Sequence, residues 1–171
     1  MTWKSLKIAG DELNRNIIQY AQQHFNLLLG ERQAEEAKVR IGSAKETGEP
    51  SEYPVRGRDL LSGLPREVMV SDAEIREAIA RPVALIVNAI KSVLEVTPPE
   101  LMADIHERGI VLSGGGALLR GLDQLIAEAT EIPVRITDDP LTCVVRGTGI
   151  LLEHDQLLDT IALPYADSKN I

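Results

Sequence analysis

The chain holds a single cysteine, Cys143, which excludes an internal disulfide framework and any Cys-x-x-Cys metal site. Three histidines, His24, His106 and His154, share no ligand spacing, so a zinc site is not expected. Aromatic residues make up 3% of the sequence. Its cores must be built from Leu, Ile, Val and Ala, and it lacks the stacking platforms that hold RNA or single strands. Positive charge is also scarce. The formal net charge is −8, which argues against a phosphate-backbone binder and against nucleic acid as a partner. No apolar run approaches the ~20 residues of a membrane span. Met1–Lys4 lacks the apolar core of a secretion signal. The expectation is an acidic, soluble, cytoplasmic protein.

What is present reads as an α/β chain. Its 171 residues suit one domain, or two small lobes sharing a core. Ser5-Leu6-Lys7-Ile8 alternates polar and apolar, as a short strand does. Gly10-Asp11 offers a helix cap, and Leu13, Ile17, Tyr20, Ala21 and His24 follow at helical spacing to about Asn26. Leu27–Gly30 reads as a buried connection. A second helix is predicted over 34–41, with Glu35–Lys38 and Glu36–Arg40 as oppositely charged pairs, and Gly42 ends it. Residues 42–52 read as an exposed loop. An antiparallel hairpin follows, with strands around Tyr53–Gly57 and Val68–Val70 and an apolar turn at Leu60–Pro65.

Ser71-Asp72-Ala73-Glu74 is a capping box for a helix carrying Ile75, Ile79, Val83, Ile86 and Ile90. Pro82 inside that pattern predicts a kink or a split. Thr97-Pro98-Pro99-Glu100 stops this helix and starts a short one that ends at Gly109. Ile110-Val111-Leu112 then predicts a strand buried on both faces. A glycine run and an amphipathic helix from Leu118 to about Ala129 follow it. A strand at 133–136 and a helix from Asp139-Pro140 to about Glu153 complete a parallel βαβα unit. Residues 154–171 read as a tail.

Three constellations bear on chemistry. Ser113-Gly114-Gly115-Gly116-Ala117 lies between a strand and a helix, where bare backbone lets a ligand approach closely. It is neither a phosphate P-loop nor a dinucleotide fingerprint. A tight strand-to-helix turn explains it equally. Glu35-Glu36-Ala37-Lys38 places acid and base one helical turn apart, fit to grip a sugar hydroxyl and a purine edge; a solvated face of ion pairs is the plain alternative. Asp138-Asp139 admits a metal or acid–base pair, but Asp139 also serves as a cap before Pro140. Cys143 reads as a small buried residue. Arg56, Arg58 and Arg66 form a basic patch on the hairpin.

The segments IAGDELN (8–14), NLLLGERQAEEAK (26–38), VRGRDLLSGLPREV (55–68), RGIVLSGGGALLRGLDQLI (108–126) and IPVRITDDPLTCVVRGTG (132–149) closely resemble the MreB family of bacterial actin homologues. So does the long helical stretch 76–105. The resemblance covers about residues 5–153. It implies an actin-like (ribonuclease H-like) ATPase fold, of which this chain matches the second lobe. In that lobe 1–9 would be a remnant strand of the core subdomain, 10–95 the small outer subdomain, 96–153 the core unit and 154–171 the tail. The family's function is implied with it: ATP-dependent filaments that guide cell-wall (peptidoglycan) synthesis and set rod shape. So are self-association, the cell-wall elongation machinery as partner, and membrane association through filaments only.

By position, the resemblance carries ATP contacts to Glu35, Glu36 and Lys38 and to Gly114, Gly115, Gly116 and Ala117. Magnesium is the family's metal, but no catalytic residue and no metal ligand can be carried over. The family's two phosphate loops have no counterpart here, so hydrolysis by this chain alone is not expected. A non-catalytic module that binds or caps filaments of a full-length homologue is the alternative. Gln33 stands where the family has a capping threonine, which predicts a helix start weakened by ~1 kcal/mol. Asn14 replaces a common acidic residue. An open sheet edge in the core unit predicts self-association.

Overall fold

The computed structural model describes residues 2–46 and 48–154. Two layers follow one another along the chain. The first is a three-stranded antiparallel sheet packed under long helices, and the second a two-stranded parallel unit.

Helix α1, Gly10–Phe25, buries Leu13, Asn14, Ile17 and Ala21 along one stripe. Ala9, not Gly10, is its capping residue, and Asp11 sits in the first turn, where the helix dipole favours an acid. Asn26 ends the helix in the left-handed conformation, at φ 51°. Residues 5–8 do not form the expected strand. No strand lies beside them among the described residues, and extended backbone needs a ladder partner. The segment instead runs along a later helix, with Leu6 and Ile8 in a groove shared with Ile90 and Val93. Lys4 Nζ donates to Ser92 Oγ at 2.6 Å, and Trp3 beside it stays exposed.

Leu27–Leu29 is strand β1, not a mere connection. It pairs antiparallel with β2, Glu52–Asp59, through Leu27↔Asp59 and Leu29↔Gly57. Three consecutive leucines show no alternation, so only the partner strand defines this element. Gly57 is what admits it: a Cβ there would lie 2.5 Å from the Leu28 carbonyl oxygen. Helix α2, Glu31–Ile41, starts three residues earlier than its charge pattern predicts, with Gly30 as cap. Gln33 is therefore inside the helix and no weakened cap arises. Its side chain donates to Glu36 and accepts the Arg56 N–H at 2.9 Å. Glu36 pairs with Arg32 at 2.9 Å, one turn before it, and not with Arg40. The following loop is exposed at Glu46 and over 48–50 but not at its start, where Gly42 and Ser43 are buried and Ser43 bridges Arg120 of the second layer.

Strands β2 and β3, Pro65–Ser71, form the predicted hairpin, with Val55 opposite Val68 and Tyr53 opposite Val70. Leu61 and Leu64 project from its turn into solvent. The basic patch is largely neutralised by close partners, Arg56 by Glu67 and Arg66 by Asp59. The Asp59 carboxylate organises the turn. It accepts from the N–H groups of Leu61 and Ser62 and from the Arg66 guanidinium at 2.8 Å. The Ser62 amide foremost, then Arg66, hold its pKa down at about 2. A carboxylate lowered this way stabilises the fold above its unfolded pKa, and that contribution is lost as pH falls toward about 2. We expect the urea midpoint of Asp59→Asn to change less than that of the parent chain between pH 4 and pH 2. Parallel declines in the two chains would show that Asp59 does not carry this dependence.

The capping box is realised. Glu74 N–H donates to Ser71 Oγ at 3.3 Å, and Ser71 N–H to Glu74 Oε2 at 2.7 Å. Helix α3, Asp72–Glu95, runs through Pro82 without a split; the proline costs the Ala78 carbonyl its helical partner. Its stripe Ile75, Ile79, Val83 and Val87 joins Ile17, Leu27 and Val55 in one core, to which the second layer adds Leu122 and Ile126.

The second layer opens with α4, Pro99–Arg108. Then come β4, Ile110–Leu112, α5, Leu122–Thr130, and β5, Val134–Ile136, with β4 and β5 parallel in register Ile110↔Val134. Three expectations fail here, the starts of two helices and the burial of a strand. Helix α5 starts at Leu122, because Gly121 turns the chain at φ 73°. Strand β4 is not buried on both faces, since Val111 is 46% exposed. Helix α6, Cys143–Leu152, begins after Thr142 and buries no residue fully among those described. Asp139 lies before that start as a turn residue, where its carboxylate accepts the Thr142 hydroxyl and its carbonyl accepts the Cys143 N–H. Cys143 is half-buried, with Sγ directed at the Pro140 carbonyl.

Candidate functional site

A cleft of about 630 Å³ opens where the start of α1 and the face of α2 meet the glycine-rich turn of the second layer. The α2 wall is built on i,i+3 spacing, which sets Glu35 and Lys38 on one face. Lys38 Nζ donates to Glu35 Oε2 at 2.6 Å and to the Gly10 carbonyl at 3.3 Å, which ties α2 to the start of α1. Asn14 Nδ2 donates to the same Glu35 oxygen at 2.7 Å. The Lys38 side chain is 11% exposed and that of Glu35 48%. The cation is thus held inside the wall, and the carboxylate has an accessible face. The Lys38 ammonium first, and the Asn14 amide after it, hold the Glu35 pKa below its ordinary value against the opposing effect of burial. Glu35 is an ionised acceptor at neutral pH, fit for a hydroxyl or amino donor.

The opposite wall is the single 3-10 turn Gly115–Leu118. Gly114 enters it at φ 83°, and its N–H is taken by the Pro140 carbonyl at 2.7 Å. Gly115 and Gly116 face the cleft, and Leu118 and Leu141 add apolar surface. Gly116 has no positive φ, and a Cβ built on it meets nothing within 4 Å. Neither backbone conformation nor internal packing therefore calls for glycine there. The open space in front of it is what a Cβ would fill.

Of the seven candidate residues, Glu35, Lys38, Gly115 and Gly116 converge on this cleft. Glu36 does not: it faces the hairpin side, holding Arg32 and Gln33. Gly114 shapes the turn from outside, and Ala117 is buried behind it with its N–H on the Gly114 carbonyl. The glycines do not open a long helix, as the sequence pattern suggests, because α5 begins only at Leu122. Asn14 was legible as a departure from the family pattern, but its grip on Glu35 was not, since 21 residues separate them. Among the described residues no three His, Cys, Asp or Glu side chains form a metal-sized group. No described helix is long and apolar enough to cross a membrane.

The sequence profile of the family described as MreB/Mbl protein matches residues 1–160. The cell shape-determining protein Mbl of Bacillus subtilis strain 168 is 46% identical over 90% of this chain and 46% of its own length. The cell shape-determining protein MreB of Escherichia coli K12 is 50% identical over 87% of this chain and 43% of its own. The chain thus spans about half the length of these relatives. Among solved structures, MreB 5 of Spiroplasma citri bound to AMPPNP is 34% identical with a TM-score of 0.88, over 95% of this chain and 49% of that one. The fold is accordingly part of the actin-like ATPase architecture, and the chain belongs to the MreB/Mbl family of cell shape-determining proteins.

Proposed function

We propose that this chain supplies the adenosine-holding half of an ATP site in an actin-like filament subunit that guides cell-wall synthesis. In this reading residues 10–95 form the outer subdomain and 96–153 the core subdomain. The observation that carries it is the cleft with Glu35 and Lys38 on one wall and bare Gly115–Gly116 backbone on the other. Its volume lies within the range of small-molecule sites. The ionised Glu35 accepts from sugar hydroxyls or an exocyclic amine, and Lys38 donates to ring or hydroxyl oxygen and nitrogen. The space before Gly116 admits the flat body of a nucleoside against the backbone. ATP, when bound, supplies the triphosphate and its magnesium, and this chain's own residues bind and orient the nucleoside end. The AMPPNP bound by the Spiroplasma citri relative supports the same assignment. Self-association is supported by exposed apolar residues on the second layer, Val111, Val144, Val145 and Ile150 among them. Membrane association follows in this reading from assembly into filaments.

Calorimetric titration of the chain with Mg-ATP tests the site. Gly116→Ala is the sharpest variant, because it separates fold from binding. A Cβ there removes chain entropy from the unfolded state without a clash, so stability should hold or rise by ~0.5–1 kcal/mol. The same methyl group enters the ligand's space and should weaken ATP roughly tenfold. Unaltered affinity in Gly116→Ala would count against the placement of the nucleoside on this turn.

A further inference from the structure

Arg120 belongs to neither wall of the cleft but is tied to both. It follows the glycine turn and directly precedes Gly121 and α5. Its Nε donates to the Gly42 carbonyl at 3.2 Å and its Nη2 to the Arg40 carbonyl at 3.1 Å. These oxygens lie at the C-terminal end of α2, where carbonyls lack helical partners and the dipole favours a cation. The backbone adds a second tie, since the Ala44 N–H donates to the Arg120 carbonyl at 2.7 Å and Ser43 bridges Arg120. Gly121, at φ 73°, lets the chains approach so closely that a Cβ on it would lie 3.0 Å from Lys45 Cβ. Lys45 in turn pairs with Glu128 on α5. All these ties join 40–45 to 120–128, directly behind the cleft.

We propose that Arg120 is a positioning residue that sets the separation between α2 and the Gly115–Leu118 turn, and with it the width of the cleft. A planar guanidinium is suited to this, because its fixed fork reaches two carbonyls at once. The side chain is fixed at one end to the segment that carries Gly115 and Gly116 and at the other to the helix that carries Glu35 and Lys38. The assignment rests on the nucleotide reading only for what the cleft holds.

Spin labels at the exposed positions Gln23 on α1 and Gln124 on α5, in a Cys143→Ser chain, read the separation of the two layers. Arg120→Gln is expected to broaden the distance distribution and to weaken Mg-ATP roughly tenfold, because the two walls no longer hold one spacing around the ligand. Arg120→Lys, with one ammonium in place of the fork, should fall between the two. An unchanged distribution in Arg120→Gln overturns the proposal whatever ATP does. A broadened distribution with full ATP affinity also overturns it, since Arg120 would then only join the chain segments. Should the parent chain bind no ATP, the nucleotide reading falls, and the distribution alone decides the role of Arg120. Should Arg120→Gln not fold, Arg120→Lys carries both measurements.

Discussion

Ile79→Ala is expected to lower the unfolding free energy by ~2–5 kcal/mol, measured by urea denaturation. Ile79 is wholly buried at the middle of α3's apolar stripe. That stripe is where the two layers share a core, because Ile126 and Leu122 of α5 join it. Truncation therefore leaves a cavity that neither layer can close alone. A domain of this size has only ~5–15 kcal/mol of net stability, so a large share would be lost. Leu61→Ala, at the exposed hairpin tip, is the matching control and should stay within ~0.5 kcal/mol. A small effect at Ile79 would mean that the layers do not fold as one unit.

Lys38→Ala should weaken Mg-ATP by roughly tenfold to a hundredfold, the range of a lost hydrogen bond to a charged group. The loss has two sources. The ammonium is itself a donor in the cleft wall, and it is the first cause of the lowered Glu35 pKa. Without it Glu35 keeps only Asn14, and its pKa should rise toward the ordinary value. The sign for stability follows. A lowered carboxylate contributes above its unfolded pKa and loses that contribution as pH falls through its folded one. Lys38→Ala should therefore show less stability loss on acidification below pH 5 than the parent. Equal ATP affinity in the two chains would remove Lys38 from the site.

Much of the fold was legible because its signals are local. The hairpin shows in alternation at Val55, Val68 and Val70, and α3 in its capping box and 3.6-residue stripe. The βαβ unit shows in two apolar strands around an amphipathic run. What stayed hidden depends on distant partners. Strand β1 exists because Gly57 makes room for Leu28, 29 positions earlier in the chain. Gln33 reads as a weak cap, and its place inside α2 shows only in the Gly30 cap and in its side-chain bond to the Arg56 N–H of β2.

The site divides the same way. Helical spacing put Glu35 and Lys38 on one face, and that was readable. Glu36 carries the same charge next door, and only the position of Arg32 and the hairpin shows that it turns away. The glycine run was visible, but which of its members face the cleft depends on the Gly114–Pro140 bond, a contact across 26 residues.

Trp3, the sole tryptophan, lies on the surface in the segment along α3, and the shared core contains no indole. Indole emission from this protein therefore arises at the surface and is nearly blind to the melting of the interior. Loss of global order would show in the far-ultraviolet dichroism of α1 to α6, while Trp3, already 79% exposed, would keep nearly the same emission wavelength throughout.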